Sequence, residues 1–357
     1  MREGILQSRV IDALRFPMAV LVVFCHCKTL LGNAATPPMT RQGLQLLLSE
    51  VLPHIAVPTF VFFSGYLFFY NMEFSWDRWK EKIGRRLRSL LLPYLIWCTI
   101  GFVLACLQGE CTPSPGNFIF GFWDTSAWKQ MPSHIHAAFP ADMPLWFIRD
   151  LMVVTAFTPL IYHCIKRTGI LLPSVAGVWW FSHFMANIPG VGSQIVFFYS
   201  FGAFFSISGK DFVEETFPVR IPIFVAAAVS GIADFLILYS RFKVSGQLQY
   251  CWPVFNAFVL SSMFAAILGT ALLLKKKENL HAGKYLTSGS FFLYAVHSLY
   301  NGALSSSMTA FWNPGSEAGR FFFYLSLCML TVGAAMGLYW ILRKGAPRIA
   351  SILVGGR

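Results

Sequence analysis

"RFPMAVLVVFCHC" (Arg15–Cys27) is apolar enough to sit in lipid, yet it opens on an arginine and carries a histidine, His26, eleven positions further on. Composition decides which solvent this stretch meets. The chain is 56% hydrophobic and only 12% charged, with 36 phenylalanines and 11 tryptophans, and its mean hydropathy is +0.58. A soluble domain carries about 25% charge. The sequence therefore reads as an all-α, polytopic membrane protein, a single integral membrane domain over 1–357. The first segment is not a cleaved signal peptide, because Arg15 lies inside its apolar run and no small-residue cleavage pattern follows.

Ten hydrophobic segments of helical length are predicted, near 10–31, 51–71, 89–108, 145–165, 170–187, 193–209, 220–240, 250–274, 285–308 and 319–342. Each approaches the roughly 20 apolar residues that cross a bilayer. Lysine and arginine are heavily biased to one side. The loop 72–88 holds Arg78, Lys80, Lys82, Arg85, Arg86 and Arg88, the loop 275–284 holds Lys275, Lys276, Lys277 and Lys284, and the tail adds Arg343, Lys344 and Arg348. That bias places both termini in the cytoplasm. The net charge of +12 is then a topology signal and calls for no nucleic-acid partner.

Two loops are distinctive. In the basic loop 72–88, Trp76, Trp79, Ile83 and Leu87 recur at helical spacing, the pattern of an interfacial amphipathic helix leading into the third span. The extracytoplasmic loop 109–144 is long and carries Trp123, Trp128, His134, His136 and Asp142. The eight cysteines match no metal or redox spacing, and Cys25, His26 and Cys27 point three ways from a helix, so no metal is expected.

On a helix, Arg15 and His26 share a face and stand roughly 16 Å apart along the axis. Asp12 is on the same face and in reach of Arg15. Charged groups at such depth face protein or a water-filled path. Pro17 is a place for a kink beside the arginine.

These residues resemble acyltransferase family 3, integral membrane enzymes that O-acylate surface polysaccharides. "RVIDALRFPMAVLVVFCH" (9–26) has that family's arginine, ten residues, then histidine. "FVFFSGYLFF" (60–69), "RRLRSLLLPYLIW" (85–97), "PLWFIRDLMVV" (144–154) and "SFFLYAVHSLY" (290–300) follow in family order. The resemblance implies a bacterial inner-membrane enzyme with acyl-coenzyme A as cytoplasmic donor and no permanently bound cofactor. Its acceptor would be a saccharide or lipid-linked glycan on the outer side. It implies His26 as the catalytic residue, as general base or acyl carrier, and Arg15, Arg85 and Arg88 as donor-phosphate ligands.

Other polar residues fall inside spans: Arg149, Asp150, His183, Asp234, Asn256 and His297. All are candidates for the acceptor site. Arg149 and Asp150 are sequence neighbours, so they are expected to point apart and to seek partners on different helices. His26, Arg149, His183, Asp234 and Asn256 are expected to gather in one hydrated site roofed by loop 109–144. The competing class is a small-molecule transporter or membrane binding module, which also buries ionisable groups along its path.

Overall fold

The computed structural model describes residues 5–27, 43–125, 139–182, 190–245, 248–277 and 283–356. Helix α1 (Ile5–Cys27) opens the fold. A continuous helical stretch follows, made of α2 (Gly43–Leu46), a π-helical turn (Leu47–Val51), a 3-10 turn (Leu52–Ile55) and α3 (Ala56–Phe69). Next come α4 (Trp76–Arg86), a second π-helical turn (Leu87–Leu91), α5 (Leu92–Leu107) and short α6 (Pro115–Phe120). Helices α7 (Trp146–Ala156) and α8 (Thr158–Thr168) meet at a 62° bend. The remainder is α9 (Leu171–Ser182), α10 (Ser193–Ile207), α11 (Phe212–Thr216), α12 (Arg220–Ser245), α13 (Trp252–Lys276), α14 (Lys284–Phe311), α15 (Glu317–Gly345) and α16 (Pro347–Leu353).

Among the described residues, six helical stretches are long and apolar enough to span a bilayer, or seven if the bent α7–α8 pair is one span. The count of about ten is therefore not reproduced. The described parts of the fifth and sixth expected spans are helices of 12 and 15 residues, short of the roughly 20 needed. The ninth, α14, is 28 residues long, but His297, Asn301 and several serines dilute its hydropathy.

Helix α1 is the central strut. It packs against α14, α13, α15, α3 and the two turns that precede α3, and it runs unbroken through Pro17. The tightest pairing joins α3 to α10. There a Cβ on Gly65 would strike the Tyr199 carbonyl, and one on Gly202 would strike the Phe62 carbonyl. This is small-residue helix packing, in which backbones touch because no side chain keeps them apart. Helix α12, by contrast, presents most of its apolar surface outward. Helix α4 forms where the basic amphipathic pattern predicts it, capped by the Ser75 hydroxyl and with no residue fully buried. It continues through the second π-helical turn into α5.

Candidate active site

Two histidines from opposite ends of the sequence meet in the core. The rings of His26 on α1 and His297 on α14 lie 5.2 Å apart, centroid to centroid. His297 is 0% exposed. Its Nδ1 lies 2.8 Å from the Tyr294 carbonyl and 3.2 Å from that of Leu293. Carbonyls only accept, so Nδ1 carries the proton and Nε2 is left with a lone pair. That Nε2 is buried and has no hydrogen-bond partner among the described residues. That nitrogen is an acceptor awaiting a donor.

A cavity of about 410 Å³ reaches Tyr294, one helical turn before His297 on α14. Its mouth carries Arg15, Lys82, Arg85 and Arg86, and its walls are apolar and aromatic: Phe60, Phe63, Phe68, Phe147, Phe291 and Tyr294. Arg15 is paired with Asp12 at 3.0 Å, as their spacing predicts, and Arg85 with Glu81 at 2.8 Å. Lys82 is anchored to the end of α3 through the Phe68 carbonyl at 2.5 Å. Arg86, which sequence reasoning passed over for Arg88, faces the cavity; Arg88 is exposed and does not line it. Tyr294 is a buried part of the cavity wall. Its hydroxyl donates to the Pro144 carbonyl, and its ring lies 6.2 Å from His297. A cluster of guanidinium groups suits a phosphate-bearing ligand, and an apolar, aromatic lining suits the less polar part of such a ligand.

The other expected site residues are spread over several settings. Arg149 and Asp150 do not point apart. Arg149 Nε and Nη2 each reach Asp150 Oδ1 at 2.8 Å, with both side chains buried. Arg149 also donates to the Trp123 carbonyl at 2.5 Å and lies over that indole ring at 5.0 Å. Asp150 Oδ1 accepts from the Gly190 amide at 3.0 Å. Neighbours on a helix diverge at Cβ, but the long arginine folds back, because ion pairing is strong where water is absent. The pair fastens two loops to α7. Asn256 is 0% exposed and donates to the Trp180 carbonyl at 3.2 Å, tying α13 to α9. Asp234 is 1% exposed, and neither carboxylate oxygen has a hydrogen-bond partner among the described residues. His183 lies outside the described residues, as do Trp128, His134 and His136 of the long loop.

Sequence reasoning missed a polar group at the His26 end of α1. Glu50, on the first π-helical turn, is 0% exposed and accepts from the Tyr250 hydroxyl at 3.1 Å. The His54 ring lies 5.6 Å from Tyr250 and 4.9 Å from Phe255. A carboxylate just before an apolar run looks like a loop residue. Only the unusual turn, a form often found at functional sites, carries Glu50 inward. A second missed signal was readable. Ser290, Tyr294, His297, Asn301 and Ser305 recur every three or four residues on α14, and all are buried, which marks a polar stripe facing inward.

A buried and a half-buried imidazole in contact, near a cavity lined by arginines and aromatic rings in a bundle of apolar helices, fit an integral membrane enzyme of the group-transfer class. The match to known proteins gives the family. The acyltransferase domain profile covers residues 9–340, and the chain belongs to that family. It is a membrane acyltransferase, as the motifs imply. It is also similar to the succinoglycan biosynthesis protein ExoH of Rhizobium meliloti (strain 1021), with 24% identity over 98% of this chain and 92% of the relative. No solved structure matches the chain significantly.

Proposed function

We propose that the protein moves an acyl group, acetyl in the simplest case, from acyl-coenzyme A to a hydroxyl of a saccharide. The observation that carries this reading is the histidine pair one helical turn from Tyr294, which lines a cavity of cationic and aromatic side chains. Similarity to a protein named for succinoglycan biosynthesis supports a surface polysaccharide, or its lipid-linked precursor, as acceptor. The lysine and arginine bias supports a cytoplasmic mouth. Arg15, Arg85 and Arg86 would then bind the coenzyme's phosphates, with Arg88 flanking them, and the thin pantetheine arm would follow the cavity.

The chemistry is a balanced acyl exchange. The acceptor oxygen attacks the thioester carbonyl, a C–O bond forms and the C–S bond breaks. The hydroxyl proton passes to an imidazole and then to the departing thiolate. We assign the general base to His26, on this argument. His297 holds its proton on the backbone side, so its Nε2 can only accept. His26 is the imidazole at the family's spacing from Arg15, and it is less buried than His297, so it is the one better placed to meet substrate.

The experiment is transfer by purified protein in lipid nanodiscs, from radiolabelled acetyl-coenzyme A to de-acylated surface polysaccharide. Ester formation by the wild type and its loss in His26→Ala support the reading. Absence of coenzyme A binding by the wild type overturns it. A labelled acyl-enzyme trapped without acceptor would instead make His26 a covalent carrier.

A further inference from the structure

The reading above leaves the acceptor without a seat, and the Glu50 group has chemistry that the acyl-transfer step does not use. Resting on that reading, we infer that Glu50, Asp234 and Tyr250 form the acceptor subsite, binding the hydroxyl groups of a pyranose ring, with Tyr250 and Trp252 covering its apolar face.

Three observations converge. The first is an unmet demand. Asp234 is 99% removed from solvent, being 1% exposed, yet both its oxygens lack a hydrogen-bond partner among the described residues. A buried carboxylate without donors is costly, and a ligand that brings hydroxyl donors satisfies it. The second is convergence. Tyr250 donates to Glu50 at 3.1 Å and lies within electrostatic reach of both Asp234 and Cys25, the neighbour of His26. Helix α12, which carries Asp234, packs on the π-helical turn of Glu50, and that turn packs on α1. Two carboxylates and a phenol from three separate chain segments therefore lie on elements packed together beside the His26 end of α1. The third is a platform. Tyr250 and Trp252 lie 5.6 Å apart at only 30° between ring planes, and Trp252 is 47% exposed. Flat rings leading inward from the surface suit the C–H face of a sugar, while carboxylates suit its vicinal hydroxyls.

The subsite predicts a split between acceptor and donor. Purified full-length wild type, Asp234→Asn, Glu50→Gln and Tyr250→Phe in nanodiscs are titrated with two probes. One is a soluble oligosaccharide cut from the cell's own de-acylated surface polysaccharide; the other is the lipid-linked repeat unit. Calorimetry measures saccharide affinity without any turnover, and coenzyme A affinity is measured in parallel. Each carboxylate variant is expected to bind saccharide about tenfold more weakly or worse, with coenzyme A affinity changed less than twofold. Tyr250→Phe keeps the ring and should fold even where a carboxylate variant does not; it is expected to show the same one-sided loss. Loss on both probes assigns the site to sugar hydroxyls generally, and loss on the lipid-linked probe alone assigns it to the membrane-bound precursor. Unchanged saccharide affinity in all three variants overturns the inference, as does a parallel loss of coenzyme A binding. Failure of the wild type to bind coenzyme A would strike the donor assignment and leave this saccharide titration standing.

Discussion

Tyr294 and His297 are one helical turn apart on the inward face of α14: the tyrosine lines the cationic cavity, and the histidine, its ring 6.2 Å away, lies against His26. The cationic cavity and the histidine pair are thus joined by the same turn of helix. Removing either imidazole should stop chemistry while sparing the cavity. General base catalysis contributes about 10²–10⁴-fold, so His26→Ala and His297→Ala should lower transfer by that order with coenzyme A affinity retained. A His297→Ala enzyme with near wild-type turnover would leave His26 to act alone.

The mouth offers a graded test. A charge-assisted hydrogen bond is worth roughly 1.5–3 kcal/mol, about tenfold in affinity for each 1.4 kcal/mol. Arg15→Ala, Arg85→Ala and Arg86→Ala should each weaken coenzyme A binding by about tenfold or more. Arg88→Ala should cost less, because Arg88 is exposed outside the cavity. Calorimetry in which Arg88 matters more than Arg86 would return the donor to the arginine pair singled out by the motif.

Orientation can be read in cells. Cysteine placed at Lys276, beside a lysine cluster at the end of α13, should react with membrane-impermeant maleimide only after permeabilisation. Labelling of intact cells would invert the proposed topology and put the arginine mouth outside.

Close packing of α3 on α10 predicts intolerance of any side chain at two glycines. Overpacking a tight contact costs about 1–3 kcal/mol, at times more, and here the obstacle is backbone rather than a yielding side chain. Gly202→Ala and Gly65→Ala should therefore each lower the melting temperature in detergent. Gly269→Ala on α13, where nothing lies within 4 Å, should not. Equal melting of all three would mean that the helix pair can shift apart without loss.

A pH effect follows from Asp142, in the loop before α7. It is 0% exposed, accepts from the Ser298 hydroxyl at 2.6 Å, and its Oδ2 has no partner among the described residues. Burial pushes its carboxyl up to about 8, against a small opposing pull from Ser298. The folded state therefore binds the proton more tightly than the unfolded chain, whose carboxyl titrates near 3.8. This contribution to stability is full below pH 4 and is lost as pH rises toward 8. Asp142→Asn should flatten the fall in melting temperature across that window. An unchanged profile would show that Asp142 is not its source.

The membrane class, the Asp12–Arg15 pair, helix α4 and the family were legible in the sequence because each depends on neighbours or on composition. Periodicity tells which face of a helix is polar, but not which distant helix that face meets. Nothing near His26 in the chain points to His297, and only the packing of α1 on α14 joins them. The count of about ten spans goes unconfirmed for a related reason: α9 and α10 are apolar enough, but their described lengths are short. Arg149 and Asp150 were misread because Cβ directions were allowed to stand for the reach of a long side chain. Glu50 was hidden by a π-helical turn, which adds a residue to the helical period and rotates everything beyond it.

The bond from His297 Nδ1 to its own helix has one more consequence. A proton wire needs each imidazole to receive on one nitrogen and release from the other. At His297 the far nitrogen faces only carbonyls, which have no proton to exchange and pass none onward. The ring is a cul-de-sac for protons. A residue that a transporter would use as a relay can here exchange a proton only through Nε2, so His297 ends a proton path and does not continue one.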